Sequence, residues 1–454
     1  MTTVLEAPVL SATDTLMAFT THENPYEKSA AELLPLQLAA IDERFKDRVD
    51  KIKLLQNRAE TGGVSAVNSV ADVIPLLFAH TAYKSYPEAW LFEGRWDRMA
   101  RWLDTVSTPR VKPVEGKVDG LDDWLKHLED QGLYVSCSSG TTGKCAMMNG
   151  AMADLNFSGQ DLLRTLRWAG LDPKHDRRMI GLGQVAATAK NMATGRPMAE
   201  AFSPPGLPPV SPQVPPITIG GITEMVMLRK KIADGTARPS EIEHYEAEAA
   251  RRAQDLESAA EQAADALIEN RHMPLHILGM LGPLHKVAER VRAKGYGGKD
   301  FQPNTTFWSG GLKRAQLPDD YRAFILDTLN ISEDRLCQAY GMQELNTLAP
   351  RCSAGRYHVA PWVVLLLLDE PGEALIEPEP TGEHEGRAAF FDLSLEGRWG
   401  GVISGDKIKV SWARCACGNH SPSINMDIQR YADQAGGDKI TCAGTIDAYV
   451  RGGA

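Results

Sequence analysis

The spacing of apolar and polar positions predicts helices over much of the N-terminal half of the chain. Between residues 26 and 57, apolar side chains recur every three or four positions among charged ones, which predicts amphipathic helix. Residues 240–270 are rich in Ala, Glu and Arg and begin with acidic residues, which predicts one long, solvated helix. Aromatic residues between positions 65 and 107 are expected to pack in the core. They include Tyr83, Tyr86, Trp90, Phe92, Trp96 and Trp102.

Shorter apolar runs in the C-terminal half predict strands. Residues 363–368 are all apolar and are followed by Asp369, Glu370 and Pro371, which is typical of a buried strand and too short to span a bilayer. Beyond Pro274, such runs alternate with helical stretches, which favours an α/β or mixed α+β fold. Residues 203–216 contain seven prolines and are expected to form a stiff loop or insertion that cannot pair in a sheet.

Composition narrows the classes of function. A length of 454 residues allows two or three domains, and a net charge of −10 argues against sequence-independent binding to nucleic acid. The N-terminus has no basic region before an apolar stretch, so neither a signal peptide nor a membrane partner is expected. The seven cysteines are then expected in a reducing cytoplasm, as free thiols or metal ligands rather than disulfides.

A loop of small hydroxyl residues and glycines carries the clearest chemistry. After an apolar lead at residues 134–137, it consists of Ser138, Ser139, Gly140, Thr141, Thr142, Gly143 and Lys144. Glycine lets backbone N–H groups approach an anion, hydroxyls add donors, and lysine adds positive charge, which suits a triphosphate. The spacing is not that of a Walker A loop, because Cys145 follows the lysine. The alternative is an ordinary Ser/Gly turn.

This loop resembles the phosphate loop of the adenylate-forming superfamily, which comprises acyl-CoA synthetases, peptide-synthetase adenylation domains and luciferases. Three later segments are similar to further motifs of that family, in the same order. They are Tyr340-Gly341-Met342-Gln343-Glu344, Ser404-Gly405-Asp406, and Gly444-Thr445-Ile446-Asp447 at the interdomain hinge. The resemblance implies that ATP and Mg²⁺ bind here.

The resemblance also implies a role for each matching residue. Tyr340 would pack on adenine, Glu344 would help to hold Mg²⁺, and Asp406 would accept hydrogen bonds from the ribose hydroxyls. Thr141 and Lys144 of the phosphate loop join Glu344 as the expected catalytic residues. Gly341 and Gln343 would contact the nucleotide beside them.

The segment Thr305–Lys313 indicates a branch of the family. Its Gly310-Gly311 pair stands where the family places glycines under the adenine. The form is similar to the phenylacetate-CoA ligase branch and, more closely, to acyl-protein synthetases of the bioluminescence type. A strand-to-helix turn that uses glycine for its backbone freedom is compatible with the same residues.

Four residues have the chemistry of a structural zinc site. Cys352 and His358 follow the Tyr340 motif, and Cys415 and Cys417 lie some sixty residues later. Thiolates and an imidazole are the ligands of tetrahedral Zn²⁺, although this spacing is not that of a common zinc finger. The phenylacetate-CoA ligase and coenzyme F390 synthetase branch has a similar arrangement. Free thiols are the alternative.

The remaining cysteines raise the question of a covalent acyl carrier. In acyl-protein synthetases a cysteine is thought to carry the acyl group. Cys137, Cys145, Cys337 and Cys442 are the residues available here, and nothing in the sequence marks one as activated. Buried, inert thiols are expected, with Cys145 beside the phosphate loop as the first to test.

The motifs divide the chain into four parts. Residues 1–130 are expected to form a helix-rich part of the large domain, and residues 131–340 an ATP- and acid-binding subdomain that contains the proline-rich insertion. Residues 341–447 are expected to form a β-rich subdomain with the zinc site, and residues 448–454 to begin the hinge. The predicted fold is thus the large N-terminal domain of the adenylate-forming fold, with layered sheets and helices and without the small C-terminal domain.

The expected function is ATP-dependent activation of a carboxylic acid. The acyl-adenylate would form with release of pyrophosphate and then pass to coenzyme A, a protein thiol or an amine. Three positions depart from the family pattern, namely Cys145, Gln343 and Thr445. They favour an alternative, a catalytically weak nucleotide-binding subunit of an acyl-transfer complex. An acyl-acceptor protein and a homodimer are both compatible with the sequence.

Overall fold

Backbone hydrogen bonds organise the chain into helices and two principal sheets. The computed structural model describes residues 10–137, 144–183, 188–309, 316–379, 381–434 and 437–438. Predictions for Ser138 to Gly143, Gly310-Gly311, Cys442 and the hinge lie outside these ranges. The helices are α1 (Ala12–Met17), α2 (Ala30–Arg48), α3 (Lys53–Gly62), α4 (Val70–Val73), α5 (Glu88–Phe92), α6 (Trp96–Asp104), α7 (Leu121–Glu129), α8 (Met152–Trp168), α9 (Ala189–Phe202), α10 (Ile219–Ala233), α11 (Pro239–Glu269), α12 (Leu281–Ala293) and α13 (Tyr321–Leu329).

The strands follow the apolar runs of the sequence. They are β1 (Phe78–Ala79), β2 (Ser136–Cys137), β3 (Met147–Met148), β4 (Arg178–Gly181), β5 (Leu275–Gly279), β6 (Thr306–Ser309), β7 (Leu336–Tyr340), β8 (Ala349–Pro350), β9 (Arg356–His358), β10 (Val363–Leu368), β11 (His384–Asp392), β12 (Gly401–Ser411), β13 (Ser423–Asn425) and β14 (Gln429–Arg430).

A parallel sheet covered by helices on both faces forms one half of the molecule. Strands β4, β5, β6 and β7 are parallel neighbours, and β8 adds antiparallel to β7. One face of the sheet packs on α11, α12 and α13, and the other on α8 and α9. Adjacent residues point to opposite faces, as the pleat of a strand requires. Ile180, Ile277, Phe307 and Leu336 belong to the first core, and Met179 and Cys337 to the second.

A mainly antiparallel sheet forms the other half. Its order is β10-β11-β12-β13-β9, with β1 and β14 also pairing with β12. The N-terminal helices pack on it in the largest core of the molecule. Every residue of β10 is buried, as its uninterrupted apolar run predicted. No helix of the described ranges has the length and apolarity needed to cross a membrane.

Two expectations for individual segments need correction. The helix predicted over residues 240–270 forms as α11, but only its first half is solvated, because Ala259 to Ile268 pack on the parallel sheet. Residues 203–216 do form a loop, yet Val210 pairs with β4. Val210 accepts a hydrogen bond from Gly181 N (2.8 Å) and donates one to Met179 O (2.9 Å). Valine keeps the N–H that the prolines around it lack, so it can pair.

Candidate active site

The predicted nucleotide residues meet where the two sheets face each other. Tyr340 ends β7 at the carboxyl edge of the parallel sheet, the edge at which open α/β sheets bind ligands. Its hydroxyl donates a hydrogen bond to Asp406 Oδ2 on β12, at 2.8 Å. Residues 66 positions apart in the chain thus form one buried pair.

The carboxylate of Asp406 is mostly buried and has hydrogen-bond donors and positive charges around it. Its side chain is 12% exposed, with Arg430 Nε at 3.6 Å from Oδ1. Burial raises the pKa of the carboxyl, while the hydrogen bond from Tyr340 and the charges of Arg430 and Arg387 act in the opposite direction. The backbone N–H of Asp406 donates to Ser404 Oγ at 3.1 Å, which orients the residue.

Glu344 lies four residues beyond Tyr340 and close to Asp406. The residue is partly exposed, yet the surrounding protein raises the pKa of its carboxyl. The nearby charge of Asp406 raises this pKa further, whereas Arg398 and Lys84 lower it. The two carboxyl groups are thus near enough for the charge of Asp406 to act on Glu344, and a divalent cation would stabilise both in their ionised form.

Buried carboxylates hold the segment after Glu344 in place. Asp392 accepts hydrogen bonds from the backbone N–H groups of Asn346 (2.9 Å) and Thr347 (3.0 Å). Asp161 accepts one from Leu348 N at 2.8 Å, and burial raises the pKa of this carboxyl to about 6. Each bond satisfies a buried donor, so the segment has a defined conformation without regular structure.

Arg398 joins this segment to the strands around the phosphate loop. Its guanidinium donates to Asn149 O (2.8 Å), next to β3, and to the carbonyls of Gln343 (3.2 Å) and Glu344 (2.9 Å). The residue is only 2% exposed. Arg398 was not predicted from the sequence, because its acceptors are backbone carbonyls and these do not show in a pattern of side chains.

Residues 80–86 form one wall of the crevice. The sequence analysis predicted only core packing for the aromatic residues of this segment. His80 Nε2 lies 3.6 Å from Asp438, and the His80 ring borders Gly405 beside Asp406. At the other end, the Tyr86 hydroxyl donates to Cys145 O at 2.7 Å. Lys144 Nζ stands over the Tyr86 ring, 4.5 Å from its centre, in a cation–π contact.

Residues on either side of the phosphate loop are fixed. Cys137 pairs with Met147 across the two-stranded sheet β2-β3. Cys145 is 2% exposed and its Sγ lies 3.6 Å from Thr223 Oγ1. Lys144 therefore emerges at the crevice beside Tyr86, while the loop residues before it lie outside the described ranges.

The thiols near the site are protonated at neutral pH. Burial raises the pKa of Cys137, Cys145 and Cys337, the last to about 11. A nucleophilic cysteine needs the opposite shift. These three residues match the expectation of inert thiols.

Cys352, His358, Cys415 and Cys417 do come together. One ligand atom from each lies within 4.8 Å of all the others. The Sγ atoms of Cys352 and Cys415 are 3.9 Å apart, close to the roughly 3.8 Å that a tetrahedral Zn–S length of 2.3 Å requires. His358 Nε2 faces Cys417 Sγ at 3.3 Å, and its Nδ1 is held by Ser421 Oγ at 2.9 Å. That second contact orients the ring, as is usual for a metal ligand.

The structure thus gathers the predicted residues into two groups. Tyr340, Glu344 and Asp406 lie together, and residues 80–86 connect them to Lys144. Gly341 is exposed at the end of β7, where a Cβ atom would come within 2.6 Å of Leu348. Tyr340 is only 8% exposed, so most of its ring is already packed in protein.

Solved structures with a similar fold include 2-hydroxyisobutyryl-CoA ligase in three states. The thioesterification state with 2-HIB-AMP and CoA has a TM-score of 0.55 at 12% identity, covering 90% of this chain and 70% of that chain. An open conformation with the same ligands has a TM-score of 0.53 at 13% identity, with coverages of 90% and 77%. The postadenylation state with R3-HIB-AMP has a TM-score of 0.53 at 12% identity, with coverages of 89% and 69%.

No protein-family model and no curated protein matches the sequence. The structural likeness therefore identifies the fold alone, while membership of the family and of one of its branches stays a prediction. A parallel sheet flanked by helices, an antiparallel sheet facing its carboxyl edge, and coverage of nine-tenths of the chain agree with the predicted architecture. The chain has the adenylate-forming fold.

Proposed function

We propose that this protein activates a carboxylic acid with ATP, forming an acyl-adenylate and releasing pyrophosphate. The observation that carries the proposal is the convergence of Tyr340, Glu344 and Asp406 on one crevice that Lys144 borders through Tyr86. The ligases of similar fold are solved with acyl-AMP and CoA, which supports the same chemistry. The alternative, a weakly active binding subunit, rests on the departures from the family pattern at Cys145, Gln343 and Thr445.

The nucleotide is held by contacts from both sheets. Asp406 accepts hydrogen bonds from the ribose hydroxyls, with Tyr340 fixing the carboxylate from behind. The phosphate loop from Ser138 to Lys144 binds the β- and γ-phosphates through N–H groups, hydroxyls and one ammonium. Gly310-Gly311, Gly341 and Gln343 lie along the adenine and α-phosphate. The protein does no covalent work and acts by positioning and by stabilising charge.

Glu344 is the proposed magnesium ligand. Burial and the nearby charge of Asp406 raise the pKa of the Glu344 carboxyl. Carboxylate oxygens of this kind are the ligands that a hard cation prefers. Bound Mg²⁺ would neutralise the triphosphate charge. The ionised form of Glu344 is the one that would bind the metal.

The acid is proposed to bind on the α9 side of the crevice. Lys190, in the first turn of α9, donates to Leu345 O at 2.8 Å, directly behind Glu344. Burial lowers the pKa of Lys190 to about 8, which still leaves an ammonium at neutral pH. The substrate carboxylate attacks the α-phosphorus, and the acyl group then passes to coenzyme A, a protein thiol or an amine.

The second group of residues is proposed to hold a structural zinc ion. Cys352, His358, Cys415 and Cys417 provide four ligands at tetrahedral spacing. The site would join the β9 strand to the chain segment that follows β12. Zinc here has no part in the reaction.

Exchange of radiolabelled pyrophosphate into ATP, across a library of carboxylic acids, tests the proposal. At least one acid should support exchange, and mass spectrometry should identify the acyl-adenylate or its adduct. Glu344→Gln should lower the exchange rate by at least about 100-fold, because it removes a charge that acts on the transition state. Glu129→Gln alters an exposed carboxylate at the end of α7 and should leave the rate unchanged. Exchange that survives in Glu344→Gln, or none with any acid, would contradict the proposal.

A further inference from the structure

A lysine of the crevice wall has no role in the function proposed so far. Lys84 ends the 3₁₀ helix His80–Lys84, which packs between β12 and β3. One end of this wall is fixed by His80 against Gly405 and Asp438. The other end is fixed by Tyr86, which bonds to Cys145 and lies under Lys144. Lys84 thus lies in a segment that contacts Gly405, next to the proposed ribose ligand Asp406, at one end and Lys144 of the phosphate loop at the other.

Among the described residues, Lys84 has no bonded partner, unlike Arg398, Lys190 and Arg387. Arg398 and Lys190 each donate to backbone carbonyls, and Arg387 pairs with Asp438. Within the ranges that the structure describes, the Lys84 ammonium makes no hydrogen bond and no ion pair, although the residue is only partly exposed. Its charge nevertheless acts on Glu344 and on Cys145, lowering the pKa of each. A cation placed near both groups without a partner is ready to bind an anion.

We propose that Lys84 is a second phosphate-binding lysine, which contacts the β- and γ-phosphates of ATP together with Lys144. The inference rests on the proposed function, since it assigns a group to the same ATP site. As the acid attacks, a bond forms between its carboxylate oxygen and the α-phosphorus. The bond from the α-phosphorus to the bridging oxygen breaks, and its electron pair stays on pyrophosphate. Two ammonium groups stabilise that developing charge.

The neighbours of Lys84 favour phosphate over the acid as its ligand. Lys84 lies two residues before Tyr86, whose hydroxyl bonds to Cys145 O and whose ring lies under Lys144, and this places Lys84 on the Lys144 side of the site. Lys190 occupies the other side, on the helix after β4. The two lysines therefore flank Glu344 with different partners.

Binding measurements with Lys84→Met test the assignment. The affinity for Mg·ATP should fall by about 10- to 100-fold, as expected for one lost charge-assisted hydrogen bond. The affinity for AMP, which has no β- or γ-phosphate, should change by less than about twofold. Lys84→Arg should retain most of the ATP affinity. The matched control is Lys299→Met, an exposed lysine at the amino edge of the parallel sheet.

Three other results would contradict the proposed role of Lys84. Unchanged ATP affinity in Lys84→Met, an equal loss for ATP and AMP, or a raised KM for the acid alone would each overturn it. If Lys84→Met does not fold, Lys84→Gln and Lys84→Arg provide the same comparison. A wild-type protein that binds no ATP would overturn the proposed function as well. Normal ATP binding that does not change when Lys84 is substituted would contradict only the role proposed for this residue.

Discussion

Glu344 is charged only above its raised pKa, and this sets the pH dependence that we expect of the proposed activity. Burial raises the pKa of its carboxyl above the ordinary value of 4.5, and Asp406 adds to the effect. Protonation would remove the charge through which Glu344 is proposed to hold Mg²⁺. Exchange activity should therefore decline as the pH falls through the Glu344 pKa, at a higher pH than an ordinary glutamate would give. An exchange rate measured from pH 5 to 8 checks this. An acid limb governed by a group below pH 4.5 would contradict it.

Asp406 offers a second test at the residue scale, through the ribose. Asp406→Asn should weaken ATP binding by about tenfold or more, because each hydrogen bond to a charged acceptor contributes about 1.5–3 kcal/mol. The variant should also discriminate less between ATP and 2′-deoxy-ATP. Titration of both nucleotides measures the ratio. Tyr340→Phe, which removes the hydroxyl that orients Asp406, is expected to show a smaller loss. Equal discrimination in wild type and Asp406→Asn would show that the ribose binds elsewhere.

At the scale of elements, the segment after β7 depends on buried hydrogen bonds more than on apolar packing. The Asp392 carboxylate accepts hydrogen bonds from two backbone N–H groups of this segment and from the Thr347 hydroxyl. It also accepts hydrogen bonds from the N–H and the hydroxyl of Ser394. Asp392→Ala should lower the free energy of unfolding by about 3 kcal/mol, because several buried donors lose their acceptor. Urea unfolding measures the change.

A matched control separates this effect from the loss of any aspartate. Asp334→Ala removes a carboxylate that is 77% exposed, with Arg335 Nε at 3.7 Å. Surface pairs of this kind contribute about 0–1 kcal/mol, so the control should remain close to wild type. A similar loss in both variants would show that Asp392 does not hold the segment.

At the scale of the whole molecule, the Cys/His cluster should bind metal and stabilise the fold. Protein expressed with zinc should contain about one zinc ion per chain by elemental analysis. A chelator should lower the Tm by about 5 °C or more, since metal binding adds to folding free energy. Cys415→Ala should lose the metal, whereas Cys337→Ala, which removes a buried thiol outside the cluster, should keep it. Full zinc content in Cys415→Ala would contradict the site.

Local patterns predicted the elements well where their cause is local. The apolar run of β10 and the periodicity of α11 each report burial and pairing within a few residues of chain. The predictions were wrong for segments whose burial or pairing depends on residues far away in the sequence. Ala259 to Ile268 look solvated in sequence and become buried because the parallel sheet lies against them. Val210 lies among prolines and still pairs, because β4 presents a free edge to it.

For the site, the sequence by itself determined the chemistry available and the order of the motifs. Lys144, Glu344 and Asp406, with the glycines and hydroxyl residues of the loop, were recognisable because the roles proposed for them depend on residue type. The Cys/His set was recognisable because few other functions need those ligand types. Only the tertiary structure brought Tyr340 to 2.8 Å from Asp406 and placed residues 80–86 beside both. Arg398 and Asp392 bind backbone groups, and a contact with the backbone leaves no pattern of side chains in the sequence.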